Sequence, residues 1–285
     1  MQNKRFLFIN SFILKLLAII SMTFDHIGLM ISNDAFRIIG RIALPLFIFM
    51  AVEGAIKTTN SKRYILRIGI TAIVISIALI VMSYFLDFGK NFAYGSGNIF
   101  IDLLLVILIV RILMSENKKI KPLILLPIAY SILCYVIYKL EGCGCRGYYE
   151  WLPPAIRMQY CIYSIVLGLG FYASNLIAKS FLKSYAIKSN LPEETYLDNG
   201  TLRIAINLIS ILVLSVTTLL FVLLNTVLNK EGEIFLGNTQ YYAILSSAFI
   251  LFYNGNRGYN SKWFKYACYV YYPLHILILA AIFLI

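Results

Sequence analysis

Long apolar runs separated by short polar stretches recur along the whole chain, and they set the first expectation. Nine suggest helical membrane spans, at about 13–32, 35–56, 64–86, 98–114, 122–139, 156–178, 202–228, 239–253 and 264–284, because roughly 20 apolar residues carry a helix across the hydrocarbon core. The fourth and eighth are short and fit a tilted or partly re-entrant segment. Ahead of the first, Arg5 to Leu14 is apolar between charges and suits the membrane interface. No small-residue cleavage site follows the first apolar run, which continues into Asp25-His26, so no cleavable signal is expected. The runs leave no room for a separate soluble domain, and no internal repeat stands out. The pattern predicts an all-α, polytopic transmembrane bundle forming one integral-membrane domain over 1–285.

Composition agrees. Of 285 residues 60% are hydrophobic and 13% charged, with a mean hydropathy of +0.81, where soluble domains carry about 25% charged residues. The formal net charge of +12 could suggest nucleic acid, but the basic residues gather in short loops. Lys4/Arg5, Lys57/Lys62/Arg63, Lys118/Lys119/Lys121, Lys179/Lys183/Lys188 and Arg257/Lys262/Lys265 fall in one alternating set of loops. The other set holds Lys90, Lys139, Arg146 and Lys230. An excess of Lys and Arg marks cytoplasmic loops, so the N-terminus is expected inside and the C-terminus outside. The bilayer is then the implied partner and nucleic acid is not. The loop at 179–200 is expected to be the longest cytoplasmic piece, of mixed charge through Glu193, Glu194 and Asp198.

Ionisable residues inside the runs change the picture, because each costs at least ~2.5 kcal/mol to insert near the bilayer centre and so marks a pathway, a pair or a site. Asp25 and His26 fall in the first span, Arg37 and Arg41 in the second, Glu53 near that span's end, Asp102 in the fourth and His275 in the last. Arg37 and Arg41 are four residues apart and share a helix face. Both histidines of the chain fall inside expected spans, and histidine is the side chain best placed for proton transfer near neutral pH. One reading makes Asp25–Arg41 a structural ion pair; the other makes these groups a catalytic set. Lys15, Met22 and His26 share a face of the first helix, with Lys15 about 16 Å from His26 along the axis, while Asp25 points about 100° away. In the last span Tyr271 and His275 are expected to stack at i,i+4, and Pro273 frees a carbonyl between turns.

Other chemistry is not signalled. There is no P-loop, dinucleotide fingerprint, nucleophile elbow or paired-histidine zinc motif. The cysteines are Cys134, Cys143, Cys145, Cys161 and Cys268. Cys143-Gly144-Cys145 lies in a loop expected outside, where spectator thiols or one disulfide are both compatible, and neither a disulfide framework nor a metal site is supported.

Ordered motifs then point to a family. The segment Lys15 to Gly28, KLLAIISMTFDHIG, resembles the opening motif of the TraX family of membrane proteins. Arg37 to Phe47, RIIGRIALPLF, followed by Glu53-Gly54, is similar to its second-span motif, Tyr64 to Arg67 to the start of its third, and Gly97-Asn98-Ile99-Phe100 to its fourth-span entry. Tyr253 to Gly258, YNGNRG, then Lys265-Tyr266 and Tyr271 to His275, YYPLH, complete the set. The Cys-Gly-Cys loop departs from the pattern.

The resemblance implies a multi-pass acyltransferase of the bacterial cytoplasmic membrane, taking acetyl from cytosolic acetyl-CoA. The activity associated with the family is acetylation of a conjugative pilin subunit at its N-terminus, with a distant likeness to membrane acetyltransferases of sugars. On that basis His26, Asp25, His275 and Arg41 are the expected catalytic residues. Lys15, Arg37, Glu53, Asn98, Asp102, Asn254, Arg257 and Tyr271 are expected to bind acyl-CoA or the acceptor, a pilin-like peptide, another secreted peptide or a glycan. Two other classes stay open: a proton-coupled or small-solute transporter, for which intramembrane charges also serve, and a non-catalytic assembly partner of a surface structure.

Overall fold

The apolar runs fold as helices in a computed structural model that describes residues 6–85, 97–142, 151–190, 192, 199–228 and 239–284. Asparagine starts several of them. The Asn10 carboxamide accepts the Ile13 amide at the head of α1 (Ser11–Met30), and Asn33 accepts that of Phe36 at the head of α2 (Asp34–Gly40). A helix leaves its first four N–H groups without internal partners, and a short side-chain acceptor at the N-cap satisfies one. A turn at Arg41-Ile42 separates α2 from α3 (Ala43–Lys57). Asn60 accepts the Arg63 amide at the head of α4 (Ser61–Phe85), and Asn98 that of Phe100 at the head of α5 (Ile99–Met114). A 3-10 stretch, Lys118–Ile124, leads into α6 (Leu125–Gly142); α7 (Cys161–Lys188) and α8 (Asn199–Leu228) follow. A second 3-10 stretch, Gln240–Ser246, runs into the short α9 (Ser247–Leu251), and α10 (Lys262–Leu284) closes the chain. Among the described residues there is no strand, only one isolated parallel bridge between Ile9 and Tyr253.

Among the described residues, seven helices are long and apolar enough to cross a membrane: Ser11–Met30, Asp34–Lys57, Ser61–Val81, Lys118–Leu140, Pro154–Lys188, Gly200–Val227 and Lys262–Phe283. The two expected spans outside this set are the short ones. Helix α5 has 16 residues, about 24 Å at 1.5 Å per residue against a core of about 30 Å, and the other is the shorter apolar stretch Gln240–Leu251. The expected loop at 179–200 is helical as far as Lys188. Ala178, Leu182 and Ala186 recur at four-residue spacing and are buried, while Lys179 and Lys183 on other faces are exposed, so an amphipathic pattern carries the helix beyond its apolar part. Glu193, Glu194, Asp198, Lys4, Arg5, Lys90, Arg146, Lys230 and the Cys143–Cys145 loop lie outside the described residues.

Helix α4 shows how an all-apolar helix is used. Ile68, Ala72, Ile75 and Leu79 form a buried stripe, while Leu66, Ile70, Ile73 and Ile77 form an exposed one of equally apolar character. A helix apolar on all faces with one stripe outward has its second solvent in lipid. Helix α8 is inverted: Arg203, Asn207, Ser210, Leu214 and Thr217 recur on its buried stripe, and Leu208, Leu212, Val216, Leu219 and Leu223 are exposed. Its buried stripe carries the polar groups Arg203, Asn207, Ser210 and Thr217, and its exposed stripe is apolar.

The chain divides into two compact units, each discontinuous in sequence: Met1–Met50, Leu167–Leu220 and Thr239–Phe264 in the first, Ala51–Val166, Phe221–Asn238 and Lys265–Ile285 in the second. In the core of the first, Phe49 meets Phe171 and Tyr253 edge-on at 5.3 and 5.4 Å. The Arg203 guanidinium lies 4.7 Å from the Tyr253 ring centroid and 5.5 Å from that of Phe49, within cation–π range. Ile107, Val110, Cys134, Ile137 and Met158 are buried in the second.

Candidate functional site

The charged cluster of the first unit begins with a hairpin. Helices α1 and α2 turn back on one another through Ser32, at φ +53°, and the Gly28 carbonyl accepts the Asn33 amide at 2.9 Å. A Cβ on Gly28 would come within 2.8 Å of Phe36 Cβ, so the absent side chain allows the close approach. Asp25 thereby faces two arginines. Arg37 donates to its Oδ2 at 2.9 Å and to its carbonyl at 3.4 Å; Arg41 donates to Oδ1. Arg41 also donates to the Arg37 carbonyl at 3.3 Å and to Gln240 Oε1 at 3.4 Å. The Asp25 side chain is 14% exposed, Arg41 7% and Arg37 27%. A carboxylate bridging two guanidiniums makes charge tolerable inside an apolar run, since buried charge is retained where it is paired and hydrogen-bonded.

The expected Asp25–Arg41 pair is therefore present, widened to include Arg37. Both Asp25 carboxylate oxygens receive arginine donors. His26, the next residue, is half-buried, as is Lys15 farther down α1.

Asn254 and Arg257 contribute backbone groups to the turn that meets the head of α1. The Asn254 amide donates to the Ile9 carbonyl at 2.7 Å, and the Asn256 and Arg257 carbonyls accept from Ser11 and Phe12 at 2.8 and 3.1 Å. These bonds supply the acceptors that the first turn of α1 lacks. The Asn254 side chain accepts the Asn256 amide, and Gly255 and Gly258 adopt φ of +77° and +68°, a conformation that favours glycine. Asn207 holds the same turn from α8, donating to the Leu251 and Tyr253 carbonyls at 3.1 and 2.8 Å and accepting from Arg203 at 2.8 Å.

In the second unit, Asn98 and Asp102 organise the stretch 152–164. Asn98 donates to the Ala72 carbonyl at 2.8 Å and to Ser76 at 3.0 Å, and Ser76 donates to the Ala155 carbonyl at 2.7 Å. Asp102 is fully buried and accepts the Gln159 and Tyr160 amides at 2.6 and 3.0 Å and the Ser164 hydroxyl at 2.7 Å. It caps the approach to α7, a task that its sequence neighbourhood does not reveal. Glu53 is buried and pairs with Lys57 at 2.7 Å. Arg157, 1% exposed, donates to the Leu152 carbonyl and lies 5.3 Å from the Tyr138 ring centroid.

His275 is buried on α10 of the same unit. Its ring stacks on Tyr271 at 5.2 Å with 6° between planes, as i,i+4 spacing predicts, and its Nδ1 lies 2.9 Å from the Tyr271 carbonyl. A carbonyl can only accept, so Nδ1 donates here, and in the neutral ring Nε2 then carries the lone pair that a base requires. Cys134, Cys161 and Cys268 form no disulfide among the described residues.

Residues missed by a search for charged groups in spans are Gln240, Arg203, Asn207, Ser76 and Ser164. The four-and-three spacing of Arg203, Asn207, Ser210 and Thr217 would have revealed the buried face of α8.

Residues 11–188 match the model of a family described as TraX protein. That range includes Lys15, Asp25, His26, Arg37, Arg41, Glu53, Asn98 and Asp102, whereas Asn254, Arg257, Tyr271 and His275 lie beyond it. A relative from Dichelobacter nodosus, described as "Probable fimbrial assembly protein FimC, serogroup H1", is 30% identical over 116 residues, which cover 38% of this chain and 48% of the relative. The chain thus spans about half the length of that relative. No solved structure matches the chain.

Proposed function

The chain belongs to the TraX family, and from that premise we propose that it is a membrane-embedded acetyltransferase. It moves acetyl from acetyl-CoA to an amine or hydroxyl of a pilin-like peptide or another envelope or secreted acceptor, in the bacterial cytoplasmic membrane. The observation that carries this reading is the Asp25–Arg37–Arg41 cluster beside His26, all within the matched residues. Fixed guanidinium charge in a site of low exposure suits the negative charge that develops on a thioester carbonyl under attack.

In this mechanism the acceptor nitrogen or oxygen attacks the thioester carbonyl carbon while a neutral histidine takes its proton. The carbon–sulfur bond breaks, and the departing CoA sulfur recovers the proton. His26 is the base nearest in sequence to the arginines, and Asp25 serves by holding them. His275 is the second candidate, its Nδ1–H directed to the Tyr271 carbonyl.

Purified protein in nanodiscs, supplied with acetyl-CoA and a synthetic peptide with a pilin-like N-terminus, should release CoA and yield acetylated peptide by mass spectrometry. His26→Ala and His275→Ala are compared singly. Full transfer in both variants would overturn the histidine role, and no transfer to peptide or glycan acceptors by the wild type would overturn the activity.

The relative's description favours a second reading, a non-catalytic assembly partner for a pilus-like structure. The charged cluster is then a structural knot, and its loss lowers protein abundance without altering any turnover.

A further inference from the structure

Three residues of α6 hold the stretch that leads into α7. Tyr130, Cys134 and Tyr138 follow one another at four-residue spacing and so share a helix face. The Tyr130 hydroxyl donates to the Ile156 carbonyl, and the Tyr138 ring centroid lies 5.3 Å from the Arg157 guanidinium. Cys134, between them, falls opposite Met158, and its sulfur accepts the Met158 amide. The Cys161 thiol turns back to the same residue and donates to the Met158 carbonyl at 3.6 Å. The two sulfurs thus converge on Met158 and hydrogen-bond to one another. Cys134 is fully buried and Cys161 is 6% exposed, and no bond joins them in the structure. Helix α5 fixes the same stretch from another side: the Asn98 amide donates to the Arg157 carbonyl at 2.9 Å, and Asp102 accepts the Gln159 and Tyr160 amides. Cys161 itself takes φ +44°, a conformation uncommon for residues other than glycine. Glycine would adopt it at lower cost, so a cysteine there points to a use for its sulfur.

We propose that Cys134 and Cys161 are a disulfide-forming pair that staples α6 to the head of α7. On the orientation expected from the loop charges, this junction faces outside, where thiols meet oxidants that the cytoplasm lacks. The oxidant is itself a disulfide, of a protein or a small molecule. One thiolate attacks it, forming a mixed disulfide and freeing one sulfur of the oxidant as a thiol. The second thiolate attacks the cysteine sulfur of that mixed disulfide, the Cys134–Cys161 bond forms, and the oxidant leaves as a dithiol. Two electrons and two protons pass from the pair to the oxidant. Both sulfurs are buried once the chain has folded, so exchange precedes the packing of 156–161 on α6, and the finished bond is shielded from reductants. The inference is independent of the acetyltransferase reading.

The test is a peptide map of the full chain expressed in bacterial membranes. Membranes are quenched with acid, then unfolded in denaturant with N-ethylmaleimide and no reductant, and the digest is read by mass spectrometry. In the majority of molecules the peptides of Cys134 and Cys161 should be joined, two hydrogens lighter than their sum and separable by reductant. Cys161→Ala should leave Cys134 alkylated, which the wild type does not show. Replacing the other nearby thiols, by Cys143→Ser with Cys145→Ser, should leave the Cys134–Cys161 link in place. If Cys161→Ala fails to accumulate, the wild-type map decides alone. Maleimide on both Cys134 and Cys161 in the majority of molecules overturns the proposal, and the pair is then two small core residues. A bond from either one to Cys143, Cys145 or Cys268 overturns it as well. Acetyl transfer is not the readout, so failure of the enzyme reading leaves this result untouched, and the reverse holds.

Discussion

Gly40 lies against the Asp25 side chain: a Cβ on Gly40 would overlap Asp25 Cβ and Oδ1 and come within 2.6 Å of its Cγ. The two-arginine cradle therefore depends on a residue with no side chain. Gly40→Ala is expected to cost about 1–3 kcal/mol, the range for overpacking. Gly69→Ala is the control. Its Cβ would meet nothing nearer than Leu104 Cδ2 at 4.0 Å, and alanine in mid-helix gains roughly 0.5–1 kcal/mol over glycine. Thermal melts of the two variants should move in opposite directions.

The charge pairs give a graded series. Asp25→Ala leaves two arginines without their shared carboxylate, and breaking a buried pair costs about 3–5 kcal/mol. Arg41, the more buried partner, should cost more to remove than Arg37, which is 27% exposed. Removing Asp25 and Arg41 together should cost less than the sum of the single changes, because they are in contact. Melting temperatures across this cycle check the ordering, and an additive result would count against the pairing.

Asp102 should behave as a cap. Asp102→Ala removes the acceptor of the Gln159 and Tyr160 amides, and hydrogen exchange at these two positions should accelerate. Ser164→Ala removes one hydroxyl donor and should cost about 1 kcal/mol, with a smaller change in exchange at the same amides.

The chain reversal before α10 predicts a further effect. Gly258 sits at φ +68°, and a Cβ there would come within 2.7 Å of Asn10 Nδ2. Gly258→Ala therefore meets both backbone strain, about 1–2 kcal/mol for a left-handed residue, and a clash with the N-cap of α1. Limited proteolysis should cut nearer the N-terminus in this variant, and amide exchange at Ser11 and Phe12 should rise.

Much of this was legible in the sequence, for identifiable reasons. Apolar length exposed the helices, because a face turned to lipid must be apolar, as the exposed stripe of α4 is. The stack of Tyr271 on His275 and the pairing of Asp25 with Arg41 followed from local spacing and from the cost of unpaired charge. The break after Gly40 was not legible: residues 35–56 read as one helix, and the turn at Arg41 is set by contacts with Asp25 and Gln240, the latter 199 positions away. The capping role of Asp102 was not legible, because its partners at 159–164 lie in a stretch with no charge signal. Gln240 escaped a search for ionisable residues because it is neutral. Arg203 lies at the edge of its apolar run, where a charge ordinarily needs no partner in protein.

The bonds between residues 9–12 and 252–257 also set a timetable. Ser11 meets Tyr253, 242 positions later, so α1 is synthesised long before the residues that complete its first turn. Until Asn256 and Arg257 have been synthesised, the amides of Ser11 and Phe12 lack these carbonyl partners.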